Sequence, residues 1–156
     1  MPKKLQTEIK QKAPFSSLEQ EVYLNLLRTG DSISQRVEKL LRESGLSGTQ
    51  YNVLRILRGA GTQGLTCGET GERMVTHDPD ITRLLDRLEK RKLITRARGT
   101  RDRRVVTTRI TPEGLRLLTS LDKPVAELHR RLFGHVPQQD LKKLSSLLEK
   151  VRSHEG

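Results

Sequence analysis

Thr100-Arg101-Asp102-Arg103-Arg104-Val105-Val106-Thr107-Thr108-Arg109-Ile110-Thr111-Pro112-Glu113-Gly114 is the stretch that decides the fold of this chain. Gly99 offers a turn into a cationic tip, and Val105 to Ile110 reads as a returning strand. Thr111-Pro112 then places a capping hydroxyl before a proline at the first helical position, a helix start. On the N-terminal side, Ile81, Leu84, Leu85 and Leu88 repeat at helical spacing, and Lys92-Leu93-Ile94-Thr95-Arg96 reads as a strand leaving that helix. Helix, basic hairpin, helix is the order that a winged DNA-binding module needs.

Charge sharpens this reading. The 156 residues hold 30 Lys and Arg against 19 Asp and Glu, a net charge of +11. Between Arg87 and Arg109 there are ten basic residues and two acids, Glu89 and Asp102, so +8 of the +11 sits there. Charge this concentrated on a predicted hairpin reads as a footprint for a polyanion. Other classes lack their parts. No phosphate-cradling glycine loop, nucleophile elbow or metal pair is visible, so neither an enzyme nor a cofactor is expected. The single Cys67 excludes an intrachain disulfide and makes no thiolate zinc site alone. His77, His129, His135 and His154 show no ligand spacing, so no metal is expected. No apolar run is long enough to span a bilayer, and no signal-type segment follows Met1-Pro2-Lys3-Lys4. A soluble cytoplasmic protein without a membrane partner is the expectation.

The rest of the chain predicts helices. Residues 1–15 read as a flexible basic arm. A capping box at Ser16 and Glu19 opens a long helix with Val22, Leu26, Ile33, Val37, Leu40 and Leu41 at helical spacing, ending near Ser44-Gly45. Ser47 and Gln50 form a second box, with Leu46 and Tyr51 as a hydrophobic staple. Thr66 and Glu69 start a short third helix, and Asp78-Pro79 opens the fourth. The fifth helix carries Leu115, Leu118, Leu121, Val125, Leu128 and Leu132, with a kink expected at Pro124. Leu141, Leu144, Leu147, Leu148 and Val151 mark the last. The expected fold class is mainly α with a small β-wing: a winged helix-turn-helix over 46–111 and a helical dimerisation region over 16–45 and 112–153. With 33% apolar residues and no Trp, a lone core would be thin, which favours burial against a second chain.

The third and fourth helices make a helix-turn-helix, whose second helix enters the major groove. Thr82, Arg83 and Arg87 face outward on it and are the candidate base readers; arginine suits guanine or phosphate. Asp80 and Asp86, read on the same face, would disfavour indiscriminate phosphate binding. Arg101, Arg103 and Arg104 form a tip narrow enough for a minor groove, where arginine gains from the enhanced negative potential. Asp102 is the expected brace, fixing Arg104 or a recognition-helix arginine.

Asp102-Arg103-Arg104, followed after five residues by Ile110-Thr111 and after two more by Gly114, resembles the wing signature of the MarR-type regulators. Leu65-Thr66, the run from Ile81 to Glu89 and Leu93-Ile94 match the same family, and the helix order matches over roughly residues 16–153. The resemblance implies a homodimer whose terminal helices interlock, two winged lobes on a pseudo-palindromic duplex, and transcriptional control, most often repression. In many members a small aromatic ligand between dimer base and DNA-binding lobe relieves it; Tyr51, a phenol, is the candidate wall. The chain departs from the family at Thr70, usually apolar, and at Gly71, usually alanine. An interior glycine costs about 1 kcal/mol against alanine, so a loosely held third helix is expected. Redox-sensing members carry their cysteine in the first helix, where this chain has none. Two alternatives stay open: a winged module binding RNA or a protein partner, and a metal or redox sensor on the same fold.

Overall fold

The computed structural model describes residues 1–154. It contains α1 (Leu5–Glu8), α2 (Leu18–Leu41), α3 (Gly48–Ala60), β1 (Leu65–Thr66), α4 (Cys67–Glu72), α5 (Ile81–Lys90), β2 (Ile94–Arg98), β3 (Val106–Ile110), α6 (Pro112–Phe133) and α7 (Gln138–Arg152). The chain divides into two compact units after Lys39.

In the first unit, the stretch expected as a flexible arm forms the helical turn α1. Leu5 is buried there, and Glu8 accepts a hydrogen bond from Arg28 Nε of α2 at 3.2 Å. The cap of α2 lies one residue later than Ser16 and Glu19 suggest. Ser17 Oγ accepts from the Gln20 N–H at 3.0 Å, while Gln20 Oε1 accepts from the Ser16 N–H at 2.7 Å. Gln20, not Glu19, is therefore the side chain that reaches back.

In the second unit, α2 closes through a 3₁₀ turn, Arg42–Ser44, into Gly45 at φ +70°. Ser47 and Gln50 make the expected reciprocal capping box on α3. The three strands form an antiparallel sheet in the order β1-β3-β2, with Leu65 opposite Thr108 and Ile94 opposite Ile110. β1 is an addition to the sequence reading, which took Leu65-Thr66 only as a helix start; two residues carry no periodicity to reveal a strand. β2 begins at Ile94 rather than Lys92. Lys92 takes a left-handed φ of +60°, and its carbonyl accepts from Thr111 Oγ1 at 2.8 Å. That turn directs the chain from α5 into the sheet.

The core gathers Val53, Leu54 and Leu57 of α3, Leu84, Leu85 and Leu88 of α5, Leu93 and Ile94 at the wing base, and Leu118, Leu121, Val125 and Leu128 of α6. Thr111 caps α6 by accepting from the Gly114 N–H at 3.1 Å, and the helix runs through Pro124 without interruption. A Cβ at Gly114 would lie 2.5 Å from the Leu93 carbonyl oxygen, so glycine is what lets α6 start so close to the wing base. α7 buries none of its residues. No helix among the described residues is long and apolar enough to cross a membrane.

Candidate nucleic-acid interface

The two sequence departures in α4 are accommodated locally. Thr66 Oγ1 caps the helix by accepting from the Glu69 N–H at 3.2 Å. Thr70 is fully buried, and its hydroxyl donates to the Thr66 carbonyl at 2.8 Å, so a polar residue in an apolar position leaves no unpaired group. A Cβ at Gly71 would meet Ile81 Cδ1 at 3.4 Å, the near edge of ordinary van der Waals contact between α4 and α5.

The cap of α5 is Asp80, not Asp78. Asp78 Oδ1 accepts from the Asp80 N–H at 2.8 Å, a local turn around Pro79, and Asp80 Oδ1 accepts from the Arg83 N–H at 3.1 Å. The proline therefore precedes the helix instead of opening it. Leu84, Leu85 and Leu88 face the core, while Thr82, Arg83, Asp86 and Arg87 are exposed on the opposite side. Asp80 and Asp86 both have partners within the protein. Asp80 is taken by the cap. Asp86 accepts from Arg96 of β2, whose Nη2 also donates to Glu89 Oε1 at 2.9 Å; Glu89 Oε2 in turn accepts from the Arg96 N–H at 3.0 Å. The Arg96 hydrogen bond holds the Glu89 carboxyl below its ordinary pKa and raises that of Arg96. Asp86 and Glu89 thus share the single guanidinium that Arg96 extends from the wing strand.

The wing tip is closed by its backbone. Gly99 N–H donates to the Val105 carbonyl at 2.8 Å, and Val105 N–H to the Asp102 carbonyl at 3.2 Å. A Cβ at Gly99 would lie 2.7 Å from that Asp102 oxygen. Of the two partners expected for Asp102, the structure selects Arg104: Asp102 Oδ1 accepts from its N–H at 3.0 Å and its Nε at 3.3 Å. The Arg104 side chain is nonetheless 92% exposed.

The arginines of this region fall into two groups. Arg91 donates to the Ser44 and Gly45 carbonyls, Arg96 to Asp86 and Glu89, Arg98 to the Arg103 carbonyl and Arg109 to the Thr62 carbonyl. Arg83, Arg87, Arg101 and Arg103 are exposed, and their side chains have no hydrogen-bond or ion-pair partner among the described residues. Every candidate arginine named from the sequence is in the free group, or, as Arg104, is braced at its base and projects into solvent. The structural roles of Arg91 and Arg96 were missed: charge counting sees both but not their partners. Arg58, which pairs with Asp122 across α3 and α6 at 2.9 and 3.0 Å, was missed for the same reason. That bond lowers the Asp122 pKa and raises that of Arg58.

The remaining candidates lie elsewhere. Tyr51 is half-buried on α3, with the Arg55 guanidinium carbon 6.0 Å from its ring centre, at the outer limit of a cation–π contact. Cys67 Sγ lies 4.0 Å from Thr82 Oγ1. Among the described residues, no three His, Cys, Asp or Glu side chains come together as a metal site.

Comparison with known proteins bears on this geometry. The sequence pattern of the MarR family matches residues 46–106, the stretch from the start of α3 into β3. HTH-type transcriptional regulator MhqR of Bacillus subtilis (strain 168) is 26% identical over 131 residues, 84% of this chain and 89% of that protein. CouR from Rhodococcus jostii RHA1, solved bound to p-coumaroyl-CoA, is 26% identical with a TM-score of 0.74, covering 91% of this chain and 99% of that one. A MarR transcription factor from Planctomyces limnophilus, known from its crystal structure, is 41% identical with a TM-score of 0.68, covering 87% of this chain and 98% of that one. A relative so similar over nearly its whole length, together with the basic wing and exposed recognition helix, makes this chain a member of the MarR family of DNA-binding transcriptional regulators.

Proposed function

We propose that the chain acts in the cytoplasm as a homodimeric, sequence-specific repressor on a pseudo-palindromic DNA duplex. In this reading residues 46–111 form the DNA-binding region, and 16–45 with 112–153 the dimerisation region. Thr82, Arg83 and Arg87 read base edges in the major groove. Arg101, Arg103 and Arg104 enter the flanking minor groove, with Asp102 holding Arg104 at its base. The observation that carries the reading is the division of the arginines: on α5 and at the wing tip, Arg83, Arg87, Arg101 and Arg103 face solvent with no side-chain partner among the described residues, and Arg104 is held only at its base by Asp102. Dimerisation is supported by apolar side chains left exposed on α7 (Leu144, Leu147, Val151) and, in the first unit, on α2 (Leu18, Val22, Leu26). Release by a small aromatic ligand is supported by the ligand-bound state of CouR, and Tyr51 is the residue proposed to line the site.

The test is binding to duplexes selected from a random pool, measured over a series of salt concentrations. Affinity should fall steeply with salt through counterion release. Arg104→Ala should weaken binding strongly; unchanged binding would remove the wing from the interface. Arg83→Ala should alter base preference more than salt dependence.

A further inference from the structure

Lys90-Arg91-Lys92 places three cations in succession where the recognition helix ends. Lys90 and Lys92 are exposed, with no side-chain partner among the described residues. Arg91 alone of the three is bound to protein. Its Nη1 donates to the Gly45 carbonyl and its Nη2 to the Ser44 carbonyl, each at 2.9 Å and across 46 and 47 residues of sequence. Those carbonyls lie in the turn that closes α2, where a helix ends with unpaired acceptors and a partial negative charge. A planar guanidinium meets two adjacent acceptors at once, which the point charge of a lysine does not reproduce. The left-handed φ of Gly45 shapes the turn, and a Cβ there would already lie 3.4 Å from Arg91 Nη1.

The other anchors of α5 hold it to its own lobe. Its leucines lie in the core, and Arg96 bonds Asp86 and Glu89 from the wing strand. Arg91 adds a bond from the C-terminal end of α5 to the end of α2. A ten-residue helix is about 15 Å long, so a small change of tilt where Arg91 holds its C-terminal end becomes a displacement of its N-terminal end in the groove. We propose that Arg91 is a positioning residue that fixes the tilt of the recognition helix on the end of α2 and thereby sets which half-site spacing the dimer accepts. Arg91 touches no phosphate in this role. The inference rests on the dimeric DNA-binding reading above, because spacing between half-sites mirrors the separation of two recognition helices.

The experiment uses the full chain and a duplex selected with wild-type protein, together with versions carrying one base pair more or less between half-sites. Wild type, Arg91→Lys and Arg91→Ala are titrated at several salt concentrations. Arg91→Ala should bind the selected duplex about tenfold more weakly, because a recognition helix no longer held in its bound tilt must be ordered on binding. Its penalty for altered spacing should shrink, while its salt slope stays at the wild-type value, because no counterion-releasing contact is removed. Arg91→Lys should lie between the two. An undiminished spacing penalty in Arg91→Ala overturns the proposal, and so does a salt slope lowered by about one, the mark of a phosphate contact. Amide hydrogen exchange without DNA is the independent readout: Leu88 to Arg91 should exchange faster in Arg91→Ala, and equal protection overturns the proposal. A failure of wild type to select any duplex counts against the DNA-binding reading, and the exchange comparison still decides the role of Arg91.

Discussion

Helices α3 and α7 are nearly equal in length, 13 and 15 residues, and both carry apolar side chains at helical spacing. α3 buries Val53, Leu54 and Leu57; α7 buries nothing, and Leu147 remains 49% exposed. An amphipathic pattern reports that a helix has a face to cover, not which surface covers it. For α3 the cover is α6 and the sheet of the same chain, reinforced by the Arg58–Asp122 pair. For α7, under the dimeric reading, it is a second copy. The two helices should therefore fail in different ways when their apolar faces are damaged.

The largest expected effect comes from Leu144→Glu with Leu147→Glu. Introducing charges into the proposed interface should reduce the mass in solution from twice 17.8 kDa to 17.8 kDa. It should lower affinity for a palindromic duplex by more than about a hundredfold, since buried unpaired charge costs several kcal/mol. Far-UV circular dichroism should stay near wild type. Multi-angle light scattering showing an intact dimer would erase the contrast between the helices.

The matching change in α3 is Leu57→Ala. Leu57 is fully buried, so truncation removes transfer energy and leaves a cavity, a loss of about 2–5 kcal/mol. The denaturant midpoint should fall well below that of wild type, with the dimer retained at concentrations where the protein stays folded. If instead Leu57→Ala dissociated a folded dimer, the assignment of self-contained packing to α3 would fail.

Much of this contrast was open to reading in the sequence, because the signals are local. Ser47 with Gln50, Thr66 with Glu69 and Thr111 before Gly114 each carry their capping chemistry within three residues. The buried stripe of α5 follows from leucine spacing. The candidate site was legible as a charge cluster, and its named residues Thr82, Arg83, Arg87, Arg101, Arg103 and Arg104 are all exposed. Two kinds of fact were not legible. Near-equivalent caps differ by a residue or two, as at Ser17 and Asp80, because neighbouring side chains compete for the same N–H groups. Long-range partners are invisible to local pattern: nothing near Arg91 announces the Ser44 and Gly45 carbonyls, and nothing near Arg58 announces Asp122.

A smaller effect should come from Lys92→Gly. A left-handed backbone costs a side-chain-bearing residue about 1–2 kcal/mol, and glycine returns part of that gain through greater entropy when unfolded. The net expectation is a stabilisation of about 0.5–1 kcal/mol, or a rise in the thermal midpoint of about 1–4 °C. Base preference should not change, because Lys92 lies at the wing base, with the strand β2 between it and the tip. A lowered midpoint would mean that the Lys92 side chain makes a stabilising interaction of its own.

The smallest effect belongs to the ion pair that covers α3 from within the chain. Arg58 depresses the Asp122 pKa in the folded state, so the folded protein binds this proton less readily than the unfolded chain. The pair's contribution is therefore complete above the unfolded aspartate value of about 4 and is lost as pH falls through the lower folded value. Asp122 is about half exposed, which keeps the whole contribution below about 1 kcal/mol. Urea unfolding of wild type and Asp122→Asn at pH 7, 5 and 3 should show a constant small advantage for wild type at the first two and a reduced one at the third. An advantage that persists undiminished below the folded value would assign Asp122 a role that does not depend on its charge. The cover of α3 would then rest on packing alone, and α3 and α7 would differ only in whose side chains meet them.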